Sequence, residues 1–451
     1  MKVVIIGGVA AGMSAASKLK RLMKDEATIV VYEKGEEISY GACGIPFYIS
    51  DHIRQGSELI ARTAEEFAKS GIPVKTWHEV TAVDTKAKTV TVKNLKSGEV
   101  FTDSYDKLVV GSGAGVRHFP PFDKQYENLY EIRNVSDGTR VKTALLNEST
   151  KNVVIVGAGF IGLEVSEACR HYGKNVTVVE LAPHILPAFD TEVSEALEAE
   201  LTKNGVTVRT GTMVKELVAK SGVITAACLE RKDGDGQVVT EEIPVDFLIN
   251  SAGIAPCTDF IQNVEKAGNG AICVNERMET SVEDVYAAGD CSIMRSAITN
   301  QYQYAPLGTN ANKQGRIIGD ILGGAEPKPF KLIGSSALRL FGIDAAKVGL
   351  SEKEAKAGGI DFKVNTITGN SYANYYGKEK LNIKLIYDAK TRVILGAETW
   401  GQGIVVPRAN YYAIAIYAGL TVDEMGFMDL CYSPPFSGVW DAALIASNTA
   451  K

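Results

Sequence analysis

One cysteine in the chain has surroundings that suit redox chemistry, and no second cysteine lies near it in sequence. Cys43 sits in the run Ser39-Tyr-Gly-Ala-Cys-Gly-Ile-Pro-Phe-Tyr48, and the next cysteine is Cys169. Because no neighbouring thiol can close an internal disulfide, an oxidised Cys43 would be held as a mixed disulfide, a persulfide or a sulfenic acid. Each of these forms belongs to a different reaction.

The residues after Cys43 predict that it lies at the start of a helix. Gly44-Ile-Pro46 follows it, and proline is favoured in a first helical turn. The positive end of a helix stabilises a thiolate, so we expect the pKa of Cys43 to be lowered. The other six cysteines are predicted to be structural.

A glycine-rich turn near the start of the chain has the pattern of a dinucleotide site. Gly7-Gly-Val-Ala-Ala-Gly12 follows a predicted strand, Lys2–Ile6, and precedes a predicted helix. Gly7 permits the tight turn, Gly12 lets helix and strand pack closely, and the helix N-terminus favours a pyrophosphate. The next predicted strand, Thr28–Tyr32, ends at Glu33, which is placed to accept a hydrogen bond from an adenosine ribose.

The same pattern returns 150 residues later in a complete form. The run Val153-Val-Ile-Val-Gly157-Ala-Gly159-Phe-Ile-Gly162-Leu-Glu164 contains GxGxxG after a β-branched strand. The following strand, Asn175–Val179, ends at Glu180. An acidic residue there favours the free 2′-hydroxyl of NADH over the 2′-phosphate of NADPH, although both nucleotides stay open.

Length and composition narrow the class of protein. A chain of 451 residues predicts two or three domains, and 45% hydrophobic with 23% charged residues is typical of a globular protein. A net charge of −6 offers no basic surface for nucleic acid or an anionic membrane. The seven cysteines lack the spacing of a disulfide framework or a metal site, which predicts a cytoplasmic protein without a structural metal. No run is apolar enough to span a bilayer.

Three further segments make the chain resemble a known family. Thr280-Ser-Val-Glu-Asp-Val-Tyr-Ala-Ala-Gly289-Asp290 resembles the second flavin signature of flavoproteins with two dinucleotide domains. The segments from Tyr105 to Gly113 and from Asp246 to Gly253 resemble the crossovers between those domains. The chain is therefore identified as a member of the single-cysteine class of FAD-dependent pyridine nucleotide-disulfide oxidoreductases. The resemblance implies tightly bound FAD, with Asp290 on its ribityl chain, NADH or NADPH as co-substrate, and Gly113 of the first crossover among the cofactor-binding residues.

The resemblance also implies an α/β fold of three domains. Residues 1–112 and 246–325 would form a discontinuous FAD-binding domain, and residues 113–245 an NAD(P)H-binding domain, both Rossmann-like. Residues 326–451 would form an α+β dimerisation domain that makes a homodimer. Its predicted elements, from apolar alternation or apolar runs, are four strands and one helix. They are Ala337–Phe341, Phe362–Ile367, Leu381–Tyr387, Val393–Thr399 and Pro407–Ala418.

Within this class the chain resembles the coenzyme A-disulfide reductases and the NADH-dependent persulfide or polysulfide reductases most. NADH oxidases and peroxidases usually carry a histidine in the first glycine turn, where this chain has Ala10, and a methyl group cannot deliver a proton. Asn374-Tyr-Tyr-Gly377 and Leu430-Cys-Tyr-Ser-Pro-Pro-Phe436 resemble paired tyrosine motifs of the disulfide reductases. There Tyr375 and Tyr432 would reach the partner's Cys43 and protonate a departing thiolate.

Further roles come from the same resemblance. An aromatic residue at Phe160 would cover the flavin until nicotinamide displaces it. The residues that would contact coenzyme A are Ser14, Lys18, Arg21 and Ser39. Ala42 departs from the pattern, because a polar residue is usual beside the cysteine.

Three alternatives stay open from the sequence. The first is an NADH oxidase that reduces dioxygen through a sulfenate at Cys43. The second is a flavin-bearing electron carrier or redox-sensing module. The third concerns the site rather than the activity: Cys431, beside Tyr432, would act as a resolving thiol toward the partner's cysteine.

Overall fold

The computed structural model describes all residues, Met1–Lys451. Its first sheet has five parallel strands, built from β-branched runs that are buried on both faces, as parallel sheets require. In spatial order the strands are Val285–Ala287, Lys107–Val110, Lys2–Ile6, Thr28–Tyr32 and Val74–Lys75. The helix Ala10–Met23 follows the first strand and packs against Gly308–Leu322. Gly315 allows this close approach, because a Cβ there would lie 2.2 Å from the Ala11 carbonyl oxygen.

A second five-stranded parallel sheet repeats the arrangement. In the same spatial order its strands are Leu129–Tyr130, Phe247–Asn250, Asn152–Val156, Asn175–Val179 and Val206–Arg209. Each of the two sheets is accompanied by a three-stranded antiparallel sheet. Their strands are His78–Asp84, Thr89–Asn94 and Val100–Ser104 for the first, and Thr212–Lys220, Val223–Lys232 and Val238–Pro244 for the second. The chain thus contains two copies of one dinucleotide-binding architecture.

The two crossovers between these units lie side by side. Ala114–Val116 pairs antiparallel with Ile254–Pro256. The strand Phe247–Asn250 lies in the second sheet, beside Asn152–Val156. The chain therefore leaves the second sheet only after Asn250, and the domain boundary at residue 246 stays a prediction.

The C-terminal unit is an antiparallel sheet covered by helices. Its strands, in spatial order, are Ser335–Leu340, Ile343–Gly349, Ile394–Gly401, Lys380–Asp388 and Phe362–Asn370. Its helices are Glu352–Ala357, Val406–Ala418, Val422–Gly426 and Ala442–Asn448. All four predicted strands and the predicted helix are confirmed. The strand Ile343–Gly349 escaped prediction because Asp344 and Lys347 interrupt its apolar pattern; both are buried in ion pairs.

The remaining elements connect these sheets. The helices are Ile45–Ile49, Ala64–Lys69, Val135–Leu146, Phe160–His171 and Thr191–Lys203, and short 3₁₀ turns span Ala42–Gly44 and Gly56–Leu59. Short strands occur at Ile272–Cys273, Ser292–Arg295 and Tyr302–Gln303. None of the helices is both long and apolar enough to cross a bilayer.

Candidate active site

Both glycine turns adopt the geometry that the sequence pattern predicts. Gly7 and Gly157 have φ angles of 101° and 99°, a region that side chains rarely tolerate. A Cβ on Gly12 would lie 2.0 Å from the Gly7 carbonyl oxygen, and one on Gly162 would lie 2.0 Å from that of Gly157. Each turn thus presses a helix N-terminus against the end of its strand.

The two acidic strand ends are held in the same way in both units. Glu33 accepts a hydrogen bond from the amide of Gly8 in the first turn, at 2.7 Å. Glu180 accepts one from the amide of Ala158 in the second turn, also at 2.7 Å. Each carboxylate accepts a second bond from an amide two residues after it. The carboxylates are thereby fixed beside the helix N-termini, where an adenosine ribose and a pyrophosphate would lie together.

Other residues leave room for the nucleotides. A Cβ on Gly159 or on Gly113 would meet no atom of the chain, so a ligand can approach the backbone closely at both positions. Burial raises the pKa of the Asp290 carboxyl, and the Arg133 guanidinium opposes this shift. A half-buried carboxyl of this kind suits a ligand that brings hydroxyl donors, such as the ribityl chain of FAD. The residues present therefore fit FAD in the first unit and NAD(P)H in the second.

Cys43 lies on the 3₁₀ turn Ala42–Gly44, directly before the helix Ile45–Ile49 with proline in its first turn. The residue is exposed, yet part of its thiol is buried. That burial raises the pKa of the thiol, and the carboxylates of Glu164 and Asp290 raise it further. The predicted lowering of the pKa is therefore wrong: a helix of five residues has a weak dipole, and burial of the thiol together with the two carboxylates outweighs it.

Glu164 of the second unit acts electrostatically on Cys43 of the first. It stands one turn after Phe160, which begins the helix Phe160–His171 and contacts Phe189 edge to face, at 6.2 Å between ring centres. Burial and the neighbouring Glu167 raise the pKa of Glu164 to about 7. A carboxyl that titrates near neutral pH beside a thiol can hold or release a proton there.

Tyr375 and Tyr432 come together although 57 residues separate them. Their hydroxyl oxygens are 3.2 Å apart, and this hydrogen bond raises the pKa of Tyr432. Both side chains are exposed, Tyr375 by 78% and Tyr432 by 46%. They line a surface pocket of about 280 Å³ with Asn374 and Trp440. Within one chain they belong to the C-terminal unit and Cys43 to the first.

Of the four residues predicted to contact coenzyme A, three lie along the helix Ala10–Met23 and Ser39 lies against the first glycine turn. The Ser14 hydroxyl donates to Asn312, at 2.7 Å, and Lys18 forms an ion pair with Asp320, at 2.8 Å. Arg21, on the same helix, is exposed and makes no ion pair. Ser39 has a φ of 50°, and its amide donates to the Gly8 carbonyl. Lys18 is thus already neutralised within the chain, whereas Arg21 is available to an anion.

Two features of the site were not predicted from the sequence. Arg133 acts on Asp290 and donates to the Ala114 carbonyl, but its position before the helix Val135–Leu146 matches no motif. The influence of Glu164 on Cys43 depends on how the two units face each other, which local patterns do not encode. Cys431 lies exposed at the surface, and its thiol is free.

Comparison with known sequences identifies the family. The profile described as pyridine nucleotide-disulphide oxidoreductase matches residues 1–315, and that of the family's dimerisation domain matches residues 337–444. The chain belongs to this family. The predicted α/β fold with a C-terminal dimerisation domain, and an oxidoreductase that uses FAD and NAD(P)H, are thereby confirmed.

Relatives within the pyridine nucleotide-disulphide oxidoreductases carry several names. The NADH oxidase of Methanocaldococcus jannaschii is 31% identical over 100% of this chain and 98% of its own length. The coenzyme A disulfide reductase of Staphylococcus aureus strain RF122 is 30% identical over the full length of both. The solved NAD-dependent persulfide reductase from A. fulgidus has a TM-score of 0.92 and 32% identity, and the match covers 99% of this chain and 82% of that one. These are three of the types that the sequence resembles.

Proposed function

We propose that this enzyme reduces coenzyme A disulfide, or a persulfide or polysulfide of coenzyme A, with NAD(P)H. The observation that carries the proposal is the pair of hydroxyls at Tyr375 and Tyr432, 3.2 Å apart and open to the surface. Paired phenols are suited to donate a proton to a departing thiolate. Cys43 has no neighbouring cysteine in sequence, so its sulfur is free to form a mixed disulfide with a small molecule.

The chain's residues divide the reaction between them. The Cys43 thiolate attacks one sulfur of the substrate disulfide; a bond forms between the two sulfurs while the second thiolate leaves and takes a proton from the tyrosine pair. Two electrons and one proton from NADH then cleave the mixed disulfide, which releases the second thiol and restores the Cys43 thiolate; the tyrosine pair regains its proton from water. The residues around Gly7, Gly113 and Asp290 would hold FAD, which would supply the hydride acceptor between the nicotinamide and sulfur. Gly159 and Glu180 would hold the NADH, and Phe160 would cover its binding surface until it arrives.

The proposal requires two subunits. Large apolar side chains lie exposed on the C-terminal unit around the tyrosines, and a dimerisation domain implies that a second copy covers them. The most exposed are Tyr376, Ile414, Phe427, Phe436, Val439 and Trp440. In the homodimer the tyrosine pair of one protomer would serve Cys43 of the partner subunit, so that each active site is shared.

The remaining assignments belong to the same proposal. Ser14, Lys18, Arg21 and Ser39 would contact coenzyme A, with Arg21 as the cation that meets a phosphate. FAD would stay bound through the turnover. Seven unpaired cysteines suit a reducing compartment, which supports a cytoplasmic location.

An NADH oxidase is the second candidate, because relatives of that name match the whole chain. Ala10 argues against it, since the first turn then offers no acid or base to a cysteine sulfenate. A flavin-bearing electron carrier is the third candidate, and it would not need Cys43. The oxidase uses oxygen and Cys43, the reductase uses a sulfur substrate and Cys43, and the electron carrier would not need Cys43.

Anaerobic assays separate the candidates. The purified holoenzyme is given NADH or NADPH with coenzyme A disulfide, with coenzyme A persulfide or with polysulfide, and thiol release is measured; oxygen uptake is measured separately. We expect rapid sulfur reduction, slow oxygen uptake and loss of sulfur reduction in Cys43→Ser. Rapid oxygen uptake without sulfur reduction would establish the oxidase instead. Electron transfer to a protein acceptor that survives Cys43→Ser would establish the carrier.

A further inference from the structure

The segments that carry Tyr375 and Tyr432 are aligned antiparallel and joined at three successive levels. At the outer level the two hydroxyls share a hydrogen bond. Two residues further in on each segment, the amide of Ala373 donates to the carbonyl of Pro434, at 3.2 Å. Two residues further still, the carbonyls of Ser371 and Phe436 both lie within reach of one guanidinium. The pairing 375 with 432, 373 with 434 and 371 with 436 keeps one register throughout.

That guanidinium belongs to Arg408, on the helix Val406–Ala418, and it is only 1% exposed. Its Nη2 atom is 3.0 Å from the Ser371 carbonyl oxygen and 2.9 Å from that of Phe436. Nη2 and Nε also face the two carboxylate oxygens of Asp441, at 2.9 and 3.4 Å. Arg408 thus holds both segments at their bases, four residues from each tyrosine.

The hydrogen bond between the Tyr375 and Tyr432 hydroxyls cannot by itself fix the positions of the two segments. Within one protomer both phenols are exposed, so water competes for the same hydrogen bonds until a second copy covers them. The segments between the tyrosines and their bases contain no helix or strand of their own. The distance between the hydroxyls must therefore be set at the buried bases of the two segments, where Arg408 contacts them.

We propose that Arg408 is a positioning residue, which fixes the register of the two tyrosine segments and thereby the contact between the Tyr375 and Tyr432 hydroxyls. The catalytic part of this inference rests on the proposed function, in which the tyrosine pair protonates the leaving thiolate. The structural part, that Arg408 fixes the register of the two segments, does not depend on the proposed function.

The surroundings explain why an arginine is needed. Asp441 is fixed in turn, because its carboxylate also accepts from the amide of Ala443 and caps the helix Ala442–Asn448. Ser371 is fully buried, and its hydroxyl bridges the carbonyl of Gln402 and the amide of Ile404. A planar guanidinium can meet the carboxylate and both carbonyls at once, whereas the ammonium of lysine is a single point of charge.

The titration of Tyr432 tests the structural part directly. 3-Fluorotyrosine is placed at position 432 of the holoenzyme, and its fluorine resonance is followed against pH in four backgrounds: unchanged, Tyr375→Phe, Arg408→Lys and Arg392→Lys. Arg392 is the matched control, because it also forms a two-point ion pair in this domain, with Asp423, but touches neither segment. We expect Tyr375→Phe and Arg408→Lys to lower the pKa of Tyr432 equally, and Arg392→Lys to leave it unchanged. A Tyr432 titration that Arg408→Lys leaves unaltered would overturn the proposal.

Turnover tests the catalytic part. Arg408→Lys is expected to displace the hydroxyls from the leaving sulfur, an effect that outweighs the lower pKa of Tyr432, so kcat with the sulfur substrate should fall about tenfold or more. The KM for NADH and the rate of flavin reduction by NADH should be unchanged. If the unmodified enzyme reduces no sulfur compound, the proposed function fails while the fluorine titration still decides the role of Arg408. Should Arg408→Lys not fold, Asp441→Asn replaces it: the helix cap keeps its acceptor, the guanidinium loses its anchor, and the same fall in the pKa of Tyr432 is expected.

Discussion

Glu180 holds the amide of Ala158 at 2.7 Å, and this contact repeats, in the second nucleotide unit, the one that Glu33 makes with Gly8 in the first. A carboxylate fixed in this way cannot swing aside for a bulky anion. Leu181, next along the chain, is 70% exposed and brings no positive charge. We therefore expect the second unit to favour a ribose with a free 2′-hydroxyl.

Replacing this carboxylate should relax the choice of nucleotide. In Glu180→Gln with Leu181→Arg, the repulsion of a 2′-phosphate is removed and a cation is supplied to it. We expect the ratio of kcat/KM for NADH to that for NADPH to fall at least about tenfold, the effect of about 1.4 kcal/mol. Steady-state kinetics with both nucleotides measures this ratio. Glu216→Gln, an exposed change in the same unit, should leave it unchanged; an unaltered ratio in the double variant would show that Glu180 does not select the nucleotide.

Two glycines of the second turn should respond differently to alanine. A Cβ at Gly162 would lie 2.0 Å from the Gly157 carbonyl oxygen, so Gly162→Ala must distort the turn and lower the melting temperature. A Cβ at Gly159 meets no atom of the chain, and its φ of −81° suits any residue. Gly159→Ala should therefore melt like the unmodified protein but raise the KM for NADH, since the added methyl occupies space kept for the nucleotide. Equal melting temperatures for the two variants would contradict this assignment.

The sequence predicts the nucleotide units well because their determinants are local. A β-branched run, a glycine turn and an acidic strand end follow one another within 30 residues, and the strands Lys2–Ile6, Thr28–Tyr32 and Asn175–Val179 have the predicted bounds. The pairing of Tyr375 with Tyr432 is implied by resemblance alone. No local pattern encodes a contact between two exposed loops.

What the sequence misses depends on contacts between distant segments. The pKa of Cys43 is raised by burial of the thiol and then by Glu164 and Asp290 from other parts of the chain, and the helix-dipole argument could include none of these. Arg408 looks like an ordinary helical residue until the fold buries it between Ser371 and Asp441. Tertiary packing thus raises the pKa of Cys43, where the sequence predicts a lower one. It also gives Arg408 a role that the sequence does not indicate.

The raised pKa of Cys43 gives a test of its electrostatic surroundings. Replacing Glu164 by Gln removes a neighbouring negative charge, so the pKa of the thiol should fall and more thiolate should be present at a given pH. The rate of alkylation by iodoacetamide, measured against pH on holoenzyme with Cys43 freed by dithiothreitol, should shift to lower pH. Glu195→Gln, an exposed change in the same unit, provides the control because Glu195 acts on neither Glu164 nor Cys43. A profile unchanged in Glu164→Gln would show that the carboxylate does not reach the thiol.

A buried carboxyl in the C-terminal sheet should make the stability of the protein depend on pH. Glu398 is fully buried, and burial followed by the charge of Asp190 raises its pKa to about 8, although Lys347 and Lys384 oppose the shift. The folded chain therefore keeps this proton up to about pH 8, whereas the unfolded chain releases it near its ordinary pKa of 4.5. The contribution of Glu398 to stability is thus fully present at acidic pH and declines as pH rises toward 8.

Glu398→Gln should remove that decline. Glutamine resembles the protonated carboxyl and can still accept a hydrogen bond from the amide of Asp190, which Glu398 holds at 3.0 Å. We expect variant and unmodified protein to melt together near pH 5 and the variant to melt higher at pH 8, since each unit of pKa difference corresponds to about 1.4 kcal/mol. Thermal melting between pH 5 and 8 measures this, with the exposed Glu276→Gln as control. If the melting temperatures of the variant and the unmodified protein change with pH in the same way between pH 5 and 8, Glu398 does not retain its proton in the folded enzyme.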